Sequence, residues 1–94
     1  MNPTQSFISG GESMFKVRIL EMVGSNVKNH FQHELHIHPK IGDWIELHES
    51  ELGEVFEVIQ VIFSTKSDES DIYVKLVGSR REAVQNLGKR IENQ

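Results

Sequence analysis

Apolar and polar positions alternate along much of this chain. In FKVRILEM, residues 15–22, Phe15, Val17 and Ile19 alternate with Lys16 and Arg18, the period-two pattern of a strand with one face in a core. GSN at 24–26 supplies turn chemistry, and a second alternating run over 27–38 sets Phe31, Leu35 and Ile37 against Gln32, Glu34, His36 and His38. PKIGD at 39–43 breaks that run, since Pro39 lacks a donor and Gly42 permits unusual backbone angles. WIELH at 44–48 reads as a third strand and ESELGE as a hairpin loop. VFEVIQVIF at 55–63 is apolar on both sides, as expected of a central strand or one bent across two faces of a barrel. After the polar loop STKSDESD, IYVKLV at 72–77 is the fifth strand. Ser79 then stands three residues before Glu82, a capping-box spacing, and Val84, Leu87 and Ile91 follow on one helical face. This predicts a helix over 79–91 whose last turn is weakened by Gly88.

Five strands and one terminal helix, without βαβ alternation, predict a mainly β fold. The expected form is a five-stranded antiparallel meander curled into an SH3-like barrel or half-barrel, with a short C-terminal α-helix. Curling, or covering one face with the helix, hides the apolar face that a lone sheet exposes. An OB-fold ranks lower, because its helix usually lies between strands three and four and only ESELGE is present there. The cadence PKIGDWIEL followed by GEVFEVIQV resembles that of many small barrels and identifies no family. Residues 1–13, with Pro3, Gly10 and Gly11, show no sustained period and are expected to form a flexible extension. Residues 14–94 form one domain.

Composition narrows the classes of function. The 94 residues fit one domain and contain no cysteine, which excludes disulfides, thiolate nucleophiles and cysteine-based zinc sites. Acidic side chains outnumber basic ones by 14 to 10, which argues against general binding to a phosphate backbone. The longest apolar-rich run is far shorter than the ~20 residues that cross a bilayer, and no basic segment followed by an apolar run opens the chain. A cytoplasmic protein without membrane attachment is expected.

HFQHELHIHP at 30–39 is the one chemically unusual stretch, with four of the five histidines. Side chains alternate faces along a strand. Phe31, Leu35 and Ile37 are therefore assigned inward, and His36 and His38 outward. His33 falls on the core side, where a half-buried ring with one hydrogen-bonded nitrogen is expected. If this strand pairs with 44–48 as a hairpin, the simplest register sets His38 opposite Trp44, His36 opposite Glu46 and Glu34 opposite His48. One outer face would then carry His36, His38, His48 and Glu46 with Trp44 at its end, enough nitrogen and oxygen ligands for zinc or another divalent ion. A His-x-His pair alone is a weak signal. The later spacing of the cupin pattern is missing, as are a His-Glu-x-x-His helix and an EF-hand loop. A solvated strand face of opposed charges and imidazoles is the favoured reading of the cluster, with metal binding second.

The remaining chemistry is sparse. Glu49, Glu51, Glu54, Glu57, Asp68, Glu69 and Asp71 lie mostly in loops, and neither a nucleophile elbow nor a phosphate-cradling glycine loop is present. Arg80, Arg81, Lys89 and Arg90 concentrate basic charge near the C-terminus, but no aromatic RNA-binding motif accompanies them. These observations lead to a non-enzymatic protein-binding or assembly module without a cofactor. It would meet a protein partner, or itself, through an exposed strand edge, with Trp44, His36, His38, Glu46 and His48 as contact residues. Divalent-metal binding through His36, His38, His48 and Glu46 is the alternative. Weak nucleic-acid binding through the C-terminal basic residues is third.

Overall fold

The computed structural model describes residues 14–49 and 53–92. It contains β1 (Phe15–Val23), β2 (Asn26–Leu35), β3 (Trp44–Leu47), β4 (Glu54–Ile62), β5 (Ser70–Ser79) and α1 (Arg80–Glu92). The expected extension over residues 1–13 and part of the β3–β4 connection lie outside the described residues. The five strands form a single half-barrel sheet in the order β2-β1-β5-β4-β3, with the helix at the C-terminal end of the chain.

The antiparallel meander needs correction, because β1 and β5 pair in parallel, Ile19 beside Ile72. Burial explains the order. Val17 and Ile19 of β1, Ile72 and Val74 of β5, and Val58 of β4 are completely buried. Strands of this kind gain most from a neighbour on each edge. A meander would put the four-residue β3 at the centre and leave β1 at an edge. Inserting β5 between β1 and β4 instead brings the strands with completely buried residues together and leaves the polar β2 and the short β3 outside. The expected β2–β3 hairpin does not form: β2 pairs only with β1, and β3 only with β4. Residues 36–43 are thus a crossover from one edge of the sheet to the other.

That crossover is tied down by local chemistry. The Asp43 N–H donates to the Lys40 carbonyl at 3.0 Å, and the Asp43 carboxylate accepts the Lys40 N–H at 2.9 Å. Gly42, at φ 95°, makes the turn possible. Its N–H then donates to the Val58 carbonyl, and the Val58 N–H to the Asp43 carbonyl, both at 2.8 Å, which docks the loop on β4.

Register shifts at Glu21/Met22, Val55/Phe56 and Val58/Gln60 bend the strands. Val17, Ile19, Leu47, Phe56, Val58, Ile72 and Val74 form the core within the curl, with Phe31, Leu35, Ile45 and Val61 packed around it. On the opposite face of the parallel pair Arg18 grips Asp71 with two nearly equal bonds, Nε to Oδ1 at 3.0 Å and Nη2 to Oδ2 at 2.9 Å. This bidentate contact fastens β1 to β5.

The helix begins as its capping box predicts. Ser79 N–H donates to Glu82 Oε1 at 2.8 Å, and Glu82 N–H to Ser79 Oγ at 3.2 Å. Its packing differs from expectation. Ala83 alone is buried, against the face of the sheet that carries Trp44, Glu46 and Val55. Val84, Leu87 and Ile91 remain largely open to solvent. The small alanine is the one side chain of α1 set against the sheet, and the larger apolar side chains flank that contact.

Candidate functional site

The histidine stretch divides where β2 ends. His33 is still within the strand, on the core face opposite Val17, and its Nε2 lies 2.8 Å from Glu49 Oε2. It is the half-buried, hydrogen-bonded histidine that the alternation predicts. Beyond Leu35 the alternation stops and two assignments reverse. Ile37, expected inward, is 79% exposed, and His38, expected outward, is half-buried. A strand's two-residue period cannot operate in a crossover loop.

His38 is held on several sides. Its Nδ1 lies 3.0 Å from the Pro39 carbonyl and its Nε2 2.7 Å from Ser70 Oγ. A carbonyl only accepts, so Nδ1 carries a proton and donates; in the neutral ring Nε2 accepts from the Ser70 hydroxyl. The Phe63 ring stacks on the imidazole at 5.0 Å between centroids, and Phe15 meets it edge-on at 5.6 Å. Ser70 and Pro39 are buried beneath.

Above this cluster opens a cleft of about 660 Å³, within the size range of specific binding pockets. It lies at one mouth of the half-barrel, where β1 and β5 begin, β4 ends and the crossover passes. Phe15 and Val61 give it an apolar floor from which Ile41 and Phe63 protrude, and Lys16, Lys40, Ser64, Ser67, Asp68 and Glu69 supply a mixed polar rim. Lys16 reaches Asp68 at 3.8 Å between two exposed side chains. Phe63 is 72% exposed and Ile41 63%. Large apolar side chains are thus left open around a concave surface.

The other proposed site residues lie away from this cleft. His48 lies 3.6 Å from Glu46, whose second oxygen is 3.7 Å from Arg80. His36 sits on the rim of a separate hollow that also touches Trp44 and Glu46, and His38 is engaged with Ser70. Among the described residues no three His, Asp or Glu side chains are arranged to hold a metal ion. The imagined hairpin face, with His36 opposite Glu46 and His38 opposite Trp44, is replaced by β3 pairing with β4, where Trp44 faces Glu57 and Glu46 faces Val55. Trp44 does lie on the outer face. Its indole N–H donates to Glu57 at 3.2 Å, and the Arg90 guanidinium sits 5.6 Å above its ring. It packs beneath the helix's last turns. At about 100° per residue, Arg80, Arg81, Lys89 and Arg90 point to four different quarters of α1, and two of them turn back to Glu46 and Trp44.

The sequence pattern does not single out Phe15, Ile41, Phe63 or Ser70 as site residues. Phe63 overhangs the end of an apolar run and Ile41 is an isolated apolar residue in a turn, which are the only signals available. Compared with protein-family models, curated proteins and solved structures, the chain matches none.

Proposed function

We propose that this chain is a non-enzymatic protein-binding and assembly module that seats an apolar side chain of its partner in the cleft formed by Phe15, Ile41, Val61 and Phe63. The observation that carries the reading is the apolar floor beneath a mixed polar rim at the mouth of the half-barrel. Burying a large aliphatic or aromatic side chain against that floor supplies about 1.5–3 kcal/mol. The serines and opposed charges of the rim then meet the partner's backbone and fix its orientation. His38, the one imidazole in the cleft, has both ring nitrogens engaged, with Pro39 and Ser70. That arrangement suits a rigid wall better than a proton shuttle. Protruding Phe63 and Ile41 favour a partner with its own surface over a small enclosed ligand.

A fluorescent apolar probe such as anilinonaphthalene sulfonate tests the site. The wild-type chain is expected to bind it saturably at one site. Phe63→Ser and Ile41→Ser should each weaken binding about tenfold while leaving the melting temperature nearly unchanged, because both side chains are exposed. An extended peptide with a Phe or Leu anchor should compete with the probe. Probe binding indifferent to both substitutions, or no competition by any such peptide, overturns the reading.

A further inference from the structure

We infer that β2 is the joint of a homodimer, in which two copies of this chain add edge to edge, antiparallel, about a two-fold axis through Phe31. The inference rests on the assembly part of the reading above, but it uses a surface other than the cleft and names the partner as a second copy.

The two edges of the sheet are unequal. β3 has only four residues, too short to offer a long template, and Arg90 of α1 sits over its Trp44. β2 has ten residues, contains no proline and carries one lysine. Among the described residues no strand pairs with its outer edge. Protein edges are ordinarily short, charged, interrupted by proline or covered. Apart from one bulge near the β1–β2 turn, this long edge is open to another strand.

Charge and face choose the occupant and the register. In an antiparallel pair, opposed residues share a face. With the axis at Phe31, Lys28 stands opposite Glu34 of the second copy, and by symmetry the contact occurs twice. His30 meets Gln32, Asn29 meets His33, and the two Phe31 side chains meet at the axis. Moving the axis to His30 or Gln32 would put Lys28 opposite Gln32 or His36 and lose both charge pairs. Lys28 and Glu34 are exposed, and neither has an ion-pair partner among the described residues. The bulge that sets Val27 and Asn29 opposite the consecutive residues Met22 and Glu21 leaves Lys28 without a partner in β1. Phe31 is half-buried at the margin of the core, so a second Phe31 extends that core across the joint.

Sedimentation velocity on the full chain at low salt tests the joint. Wild type should show a concentration-dependent monomer–dimer equilibrium. Lys28→Glu and Glu34→Lys should each weaken association about tenfold, since one substitution creates two like-charge contacts in a symmetric dimer. The double variant, with both charges exchanged, should recover association to within about threefold of wild type if the pair interacts directly. Circular dichroism checks that each variant keeps its fold. Phe63→Ser should leave the dimer intact while weakening binding of the apolar probe, so failure of the cleft and failure of the joint are read separately. A strict monomer at millimolar concentration overturns the inference, as does a dimer that ignores the single charge reversals or is not restored by the double exchange.

Discussion

His36 and His38 stand two positions apart and have different surroundings. His36 is exposed, while His38 bridges the Pro39 carbonyl and Ser70 and stacks on Phe63. His38→Ala should therefore lower stability by about 1–3 kcal/mol, because it leaves the buried Ser70 hydroxyl unpaired. His36→Ala should stay within about 0.5 kcal/mol of wild type; urea titration of both variants makes the comparison. Zinc calorimetry should find no sub-micromolar site that depends on His36 and His48, since His38 is engaged on the far side of the crossover. At the helix start, Ser79→Ala should cost about 1 kcal/mol in the same titration. The Ser79 backbone N–H, and then its hydroxyl, holds the Glu82 carboxyl below its usual range. A lowered folded-state value means that the stabilisation is present above the ordinary carboxylate value of about 4.3 and is lost as pH falls through the lower one. The stability gap between wild type and Glu82→Gln should accordingly narrow as pH drops below about 4.

The β5–α1 junction and the interior of α1 show opposite uses of glycine. Gly78 has φ 142°, and a methyl group there would lie 2.8 Å from Glu82 Oε1 and 3.1 Å from Glu82 Cβ. Gly78→Ala should destabilise by about 1–3 kcal/mol through backbone strain, and by disturbing the capping box it should also fray α1. Gly88 has open space around it, so Gly88→Ala should stabilise the helix by up to about 1 kcal/mol. Thermal melts followed by far-ultraviolet circular dichroism separate the two, with shifts in opposite directions. The helix adds little core of its own, as Ala83 is its one buried residue. It lies across β5 and β4, and reaches β3 through Arg80 beside Glu46 and Arg90 over Trp44.

At the scale of the whole molecule, the half-barrel divides its unfinished surfaces between a mouth and an edge. The mouth presents the apolar cleft and the β2 edge presents unpaired backbone. Because Phe63 lies at the mouth and Lys28 near the β1–β2 turn, substitutions at the two should act independently. The double variant Phe63→Ser/Lys28→Glu should lose both probe binding and dimerisation, each to the extent seen in the single variant. Probe titration and sedimentation on the same samples check this. No helix among the described residues is long and apolar enough to cross a membrane.

Much of the secondary structure was legible in the sequence because it is governed by neighbours along the chain. Alternation in FKVRILEM marks β1, turn residues punctuate the strands, and Ser79 with Glu82 announces the helix start to within one residue. His33 was placed correctly because it lies inside a strand, where the two-residue period holds. Tertiary structure alone decided the strand order, the parallel β1–β5 pair and the fate of residues 36–43, since these depend on which strands gain most from burial on both sides. The outward histidine face was misread for this reason. Its register assumed that consecutive strands pair, whereas burial placed β2 and β3 at opposite edges and stretched the chain between them across the mouth. The cleft was equally hidden, as Phe15, Ile41, Phe63 and Ser70 come from four separate segments and only the curl of the sheet brings them together.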